Sequence, residues 1–288
     1  MTKIVETGYG KINLALAITG RRSDGYHDID TVFQSIGLCD TVTLREADEW
    51  QLTCSVPGLA CDETNLAYKA WKALCPYKKD NHLVAIHIEK NIPIAAGLAG
   101  GSTDCAAVLR GLNRLWHLEL SEKELCRIGA GLGADVPFCI CGGTMRGTGI
   151  GEKLKRLPSL PAWPVVIVHP HVAVQTPKAY ALFDRRSQTA PVAVDAVEQA
   201  VRASDFQGLM AAMGNTFEEL VIPDVPQVAD CQRRLTSLGL RPLMAGSGPT
   251  VFALIPPGRE ETVRSEAASW TDVDVYMTEI VKRVEGER

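Results

Sequence analysis

The stretch Pro93-Ile-Ala-Ala-Gly-Leu-Ala-Gly-Gly-Ser-Thr-Asp104 constrains the fold more than any other, because a run of small residues joins two segments of different periodicity. Ahead of it Val84, Ile86 and Ile88 alternate with Ala85, His87 and Glu89, the period of a strand; behind it Cys105, Val108, Leu109, Leu112, Leu115 and Trp116 recur at helical spacing. The chain passes from strand to helix through a glycine-bearing loop. Glycines at 97, 100 and 101 let backbone N–H groups turn inward with no Cβ in the way, and the positive end of the following helix attracts an anion. Ser102 and Thr103 add hydroxyls that can cap the helix or touch a phosphate and its metal ion. No Gly-Lys-Ser/Thr closes the segment, so it is not a P-loop, and it lacks the G-x-G-x-x-G spacing of a dinucleotide fingerprint. Similar turns also start helices that bind nothing, and the loop alone leaves both readings open.

Around this loop the pattern is mixed α and β. Ile12, Leu14, Leu16 and Ile18 alternate with Asn13, Ala15 and Ala17, and residues 41–44 and 50–54 read as further strands. Residues 65–74 read as a helix, and Ser121-Glu-Lys-Glu124 is a capping box opening another that Gly131 and Gly133 end. Leu157 to Pro164 holds three prolines in eight residues, which places a domain boundary there. Beyond it residues 165–168 and 250–255 read as strands, and residues 195–203, 205–214 and 228–238 as helices.

The 288 residues suffice for two domains at about 150 residues each. A net charge of −4 with no block of Lys or Arg argues against nucleic acid and anionic membranes as partners. The N-terminus shows no secretion or transit signal, and no apolar run reaches the roughly 18 residues of a membrane span. Nine scattered cysteines, an odd count, suggest reduced thiols and a cytoplasmic protein. Cys139-Ile-Cys141 lacks a second ligand pair, and its alternation suggests buried strand cysteines.

Four sites carry residues suited to chemistry. Lys11, in Tyr9-Gly-Lys-Ile-Asn13, opens an apolar strand; taken alone it would run its ammonium out to water. Asp24-Gly25-Tyr26-His27 is a hairpin turn that also offers an aromatic face and an imidazole, the equipment for stacking a base and bonding its edge. Asp135, in Gly131-Leu-Gly-Ala-Asp-Val-Pro137, is either a helix cap or a carboxylate held for function. Ala245-Gly-Ser-Gly-Pro-Thr250 is a tight turn or a second wall of a phosphate site.

Taken in order, Gly10-Lys-Ile-Asn13, Pro93 to Thr103 and Gly246-Ser-Gly-Pro-Thr250 resemble the three motifs of the GHMP small-molecule kinase superfamily, and the likeness runs over the whole chain. Lys11-Ile-Asn-Leu14, Asp24-Gly-Tyr-His27 and Gly133-Ala-Asp-Val-Pro137 are similar to one branch, whose members phosphorylate the 2-hydroxyl of 4-diphosphocytidyl-2-C-methyl-D-erythritol in the non-mevalonate isoprenoid pathway. The resemblance implies an α+β, two-domain fold: residues 1–160 as an ATP-binding α/β domain like domain 2 of ribosomal protein S5, and residues 161–288 as a ferredoxin-like substrate domain. It implies ATP as co-substrate with Mg²⁺, a cytidylylated small molecule as partner, and a monomer or weak homodimer. Lys11 and Asp135 carry over as the catalytic pair. Pro93, Ile94, Ala95, Ala96, Gly97, Leu98, Ala99, Gly100, Gly101, Ser102 and Thr103 carry over as the ATP cradle. For the substrate, Tyr26 and Tyr180 would sandwich the cytosine and His27 would read its edge, with Asn13 and Thr176 alongside. No protein ligand for the metal is assigned; Asp104 is adjacent only.

Many relatives have glycine where this chain has Ala95, Ala96 or Ala99, and alanine there predicts a loop that avoids positive φ. Two alternatives stand beside this reading. One is a GHMP kinase of homoserine, mevalonate or galactose type, against which Tyr26-His27 speaks. The other is a noncatalytic nucleotide sensor or RNA binder, against which Lys11, Asp135 and the acidic balance speak.

Overall fold

The structure is a computed structural model that describes residues 2–79, 83–186 and 189–282. Two long strands, β1 (Lys3–Arg21) and β2 (His27–Ala47), open the chain, joined by the expected turn in which Arg22 N–H donates to Tyr26 O at 2.8 Å. Then come β3 (Gln51–Cys54), α1 (Leu66–Leu74), β4 (Leu83–Glu89), α2 (Gly100–Leu115), α3 (Glu122–Ala130) and α4 (Val136–Cys141). The hairpin strands β5 (Thr144–Gly149) and β6 (Lys153–Arg156) precede β7 (Pro164–Pro170), α5 (Thr176–Arg185), α6 (Val194–Ala203) and α7 (Phe206–Ala212). The chain continues through β8 (Gly214–Asn215), α8 (Glu218–Val221), α9 (Pro226–Ser237), β9 (Pro242–Met244), β10 (Val251–Leu254), α10 (Glu260–Ala267) and β11 (Val273–Glu279).

The chain divides into two compact units, each assembled from separated segments. The first comprises residues 1–10, 38–94 and 99–141. In it β3 runs parallel to β4, and β4 pairs antiparallel with Thr41–Ala47 of β2. Val42, Leu44, Ile86 and Ile88 turn one face of this sheet onto Ala106, Leu109 and Leu112 of α2, an alternating strand face against a helical stripe. The helix lies close: a Cβ on Gly111 would stand 2.4 Å from a Leu44 methyl, so any larger residue there would have to displace the Leu44 side chain. α3 begins with the expected capping box, Ser121 and Glu124 each accepting the other's backbone N–H.

The second unit comprises residues 11–37, 95–98 and 142–288. Here β1 pairs in parallel with β8, and residues 29–34 of β2 pair antiparallel with β5. A separate four-stranded antiparallel sheet has the order β11-β7-β10-β9. With α9 between β7 and β9, and α10 between β10 and β11, this is the βαββαβ ferredoxin-like arrangement. Val166, Val168, Val251 and Ala253 of the sheet pack with Val228, Cys231 and Leu235 of α9 and Val263 of α10. The proline-rich stretch lies inside this unit and leads directly into β7. No helix among the described residues is long and apolar enough to cross a membrane.

One expectation is corrected here. Cys139 and Cys141 lie in α4, not in a strand, because a six-residue apolar run fits either period and the packing of α4 on its neighbours decides it. All nine cysteines are free thiols.

Candidate active site

In the second unit, alternation along β1 puts Lys11 and Asn13 on one face. Lys11 is only 4% exposed, so its ammonium does not run out to water. Its Nζ donates to Asn13 Oδ1 at 2.9 Å, Asn13 Nδ2 donates to Thr31 Oγ1 at 2.8 Å, and the Thr31 hydroxyl donates to Ala15 O at 2.6 Å. The Phe33 ring adds a cation–π contact 5.7 Å from Nζ. A buried ammonium is costly unless held in this way, and the relay holds it in one place.

The small-residue loop has an unexpected backbone. Ala95, Gly97 and Ala99 all take positive φ, at 55°, 76° and 62°, while the intervening Ala96 and Leu98 are buried. The expectation of negative φ at Ala95 and Ala99 is therefore wrong. Anchoring by the buried neighbours, together with the bond from Lys11 N–H to Leu98 O at 3.1 Å, overrides a local preference of about 1–2 kcal/mol per alanine. Alternation of hand along a backbone turns successive N–H groups to one side and makes an anion-binding concavity.

Gly97 has a second constraint, since its absent Cβ would stand 2.3 Å from Ala245 O and 3.0 Å from Gly248 O. The 245–250 loop is thus pressed against it, backbone to backbone. That loop is a tight turn, with Gly248 N–H donating to Ala245 O at 2.9 Å, and it also lies beside the lysine: a Cβ on Gly246 would be 3.3 Å from Lys11 Nζ. Asn215 clamps it through Nδ2 to Met244 O at 2.8 Å and to Gly246 O at 2.7 Å. Thr176 Oγ1 and Ser247 Oγ meet at 2.8 Å, so Thr176 reaches the same loop. Asn215 was not singled out from the sequence, where nothing marks it.

In the first unit, α2 starts at Gly100 with Ala99 as its N-cap and no side-chain cap. Thr103 instead donates through Oγ1 to Tyr9 O at 2.6 Å, which corrects its capping role and ties the helix start to β1. Ser102 faces the Gly-Leu-Gly-Ala-Asp turn, its Oγ 3.8 Å from where a Cβ on Gly133 would be. Asp135 ends that turn just ahead of α4, its carbonyl accepting from Cys139 N–H at 3.0 Å. Beneath the helix start, Lys90 donates to Asp40 and, at 2.7 Å, to Asp104. Burial pushes the Asp104 carboxyl up to about 7 against the pull of Lys90, and Asp104 Oδ1 is buried without a hydrogen-bond partner. Asp104 is committed to this cluster. Among the described residues no group of three or more His, Cys, Asp or Glu side chains could hold a metal ion.

The turn from β1 to β2 carries the aromatic candidates. Tyr26 is 60% exposed, whereas His27 is buried. The imidazole stacks on Tyr180 with centroids 4.7 Å apart and planes at 17°, and meets the edge of Phe183 at 5.7 Å. Its Nε2 lies 2.7 Å from Asp184 Oδ1. One face of Tyr180 is thus taken by His27, and the ring nitrogen left for a ligand is Nδ1. Asp184 was missed in the sequence, although Tyr180 and Asp184 stand at i and i+4 on α5, one helical face.

Models of known families match at two places: the N-terminal domain of GHMP kinases over residues 65–143 and the C-terminal domain of GHMP kinases over residues 197–271. A 4-diphosphocytidyl-2-C-methyl-D-erythritol kinase from Exiguobacterium sibiricum is 44% identical over 257 residues, covering 88% of this chain and 89% of its own. The chain belongs to this family of GHMP kinases. Its relative of the same name from Moorella thermoacetica is 42% identical over 90% of this chain and 92% of its own. A crystal structure of 4-(cytidine 5'-diphospho)-2C-methyl-D-erythritol kinase superposes with a TM-score of 0.82 at 30% identity, covering 97% of this chain and all of that one. A homoserine kinase from Cytophaga hutchinsonii, at TM-score 0.76 and 19% identity, shares the fold, with 97% of this chain and 95% of that one covered. The two-domain α+β arrangement expected from the motifs is the one this kinase family has.

Proposed function

We propose that this kinase transfers the γ-phosphoryl group of ATP to the 2-hydroxyl of 4-diphosphocytidyl-2-C-methyl-D-erythritol, giving the 2-phosphate and ADP. The relatives bearing that name support the reading. Within the chain the observation that carries it is the exposed Tyr26 beside a buried, fixed His27, a base-recognition pair that a substrate without a base would leave idle.

Residues 93–103 hold the triphosphate, with N–H groups turned inward by the alternating φ of Ala95, Gly97 and Ala99 and with the free N–H groups of the first turn of α2, which begins at Gly100. Asp135 accepts the proton of the attacking hydroxyl. The ammonium of Lys11, oriented by Asn13, offsets charge on the phosphoryl group in flight. Tyr26 stacks on the cytosine, with His27 at its edge and Thr176 and Tyr180 lining the same side. Asp104 does not fit as a metal ligand, so Mg²⁺ enters with ATP, held by phosphates and water, as that ion often is. The proposal includes domains of 1–160 and 161–288, and a cytoplasmic enzyme working as a monomer or weak homodimer.

The test is ADP release by purified protein. Release with the cytidylylated substrate and none with methylerythritol phosphate supports the reading; equal release with both overturns it. Asp135→Asn should lower turnover about 10²- to 10⁴-fold with both substrates still bound.

A further inference from the structure

His27 is held on three sides by one helix. Tyr180 covers a ring face, Phe183 meets an edge, and Asp184 takes Nε2, all from little more than a turn of α5. The ring cannot rotate without giving up the stack. An ionised carboxylate only accepts hydrogen bonds, so the nitrogen it contacts carries the proton. Asp184 stays ionised, because the bond from His27 and then the charge of Arg21 hold its carboxyl below the usual range. A neutral imidazole has one N–H, and with that proton on Nε2 the other nitrogen offers a lone pair.

We propose that Asp184 is a specificity residue acting through His27: it keeps the imidazole proton on Nε2, so that Nδ1 is an acceptor selecting the 4-amino group of cytosine over the 4-carbonyl of uracil. This rests on the reading of Tyr26 and His27 as the base pocket. Cytosine donates from that position and uracil presents an oxygen lone pair, so only cytosine matches. Arg21 supplies a further handle. Its Nη1 lies 3.6 Å from Asp184 Oδ2, on the side away from His27. In an isosteric asparagine the amide oxygen would take the Arg21 side and the NH₂ would face Nε2. That drives the imidazole proton to Nδ1 and turns the acceptor into a donor, the tautomer reversal that such a change produces in a carboxylate–histidine pair.

The experiment compares the cytidine substrate with its uridine analogue at one mildly alkaline pH. Wild type should favour the cytidine compound in kcat/KM by about 5- to 150-fold, the worth of one buried group left unpaired. D184N should abolish or invert that ratio while leaving KM for ATP unchanged. Imidazole ¹⁵N shifts of His27 should show the proton on Nε2 in wild type and on Nδ1 in D184N. A folded D184N with an unchanged ratio, or a wild-type proton on Nδ1, overturns the inference; if D184N does not fold, the wild-type nitrogen shifts decide. Equal use of both compounds by wild type overturns this inference alone. Failure to phosphorylate either overturns the proposed function, and this inference with it.

Discussion

Gly97→Ala puts a methyl group where two backbone loops meet, and the structure sets the size of the effect. Its φ of 76° costs an alanine about 1–2 kcal/mol. The new Cβ would stand 2.3 Å from Ala245 O, where a carbon–oxygen contact needs about 3.3 Å, so the 245–248 turn must retreat by about 1 Å. That turn is fixed by both bonds from Asn215 and by Ala245 N–H to Thr250 O at 2.8 Å. Losing one of them leaves a buried group unpaired, at about 1–3 kcal/mol. The total is about 2–5 kcal/mol, a large part of the roughly 5–15 kcal/mol that holds a typical domain together. Urea unfolding should show a lower midpoint at unchanged slope. Because the retreating loop lies beside Lys11, kcat should also fall, by up to about 10²-fold for a 1 Å misplacement. Gly101→Ala is the control: it lies within α2, its Cβ would meet only a Leu66 methyl at 3.8 Å, and it should stabilise by up to about 1 kcal/mol. A Gly97→Ala protein within about 1 kcal/mol of wild type, with normal turnover, would refute the reasoning.

Ala99→Gly should be neutral or stabilising by up to about 1 kcal/mol, relief of the positive φ being offset in part by unfolded-chain entropy, whereas Ala99→Val should destabilise; thermal unfolding ranks the three. Tyr26→Ala, at an exposed position, should change stability by less than about 0.5 kcal/mol yet raise KM for the cytidylylated substrate about 5- to 150-fold, and a KM left unmoved removes the stacking role. Glu198, bonded by Lys155, Arg202 and Arg146, has its carboxyl lowered from 4.5 to about 2, first by the Lys155 bond. A depressed folded value adds stability that is present above the unfolded value and lost as pH falls, so stability should drop between pH 4.5 and about 2. Glu198→Gln should flatten that part of the acid unfolding curve.

What was legible in the sequence was what neighbours in the chain decide. The period of two before Pro93 and the helical period after Asp104, the Asp24-Gly25 turn and the Ser121–Glu124 box all act within a few residues, and each lies where the pattern put it. Of the second half's sheet only β7 and β10 were readable, as residues 165–168 and 250–255; β9 and β11 were not, and the order β11-β7-β10-β9 comes from pairings between distant segments that no local pattern encodes. The misses share that cause. Ala95 and Ala99 have a local preference for negative φ, and packing of Ala96 and Leu98 reverses it. Tyr26 marks its neighbour His27 as a candidate base reader, but the carboxylate that contacts its Nε2, Asp184, is 157 positions away. A motif names the residues that face the ligand, and the partners that fix their tautomer and orientation are found only once the chain has folded. For this kinase that makes Asp184 and Asn215, outside every motif, the residues on which Tyr26-His27 and the 245–250 loop depend for their geometry.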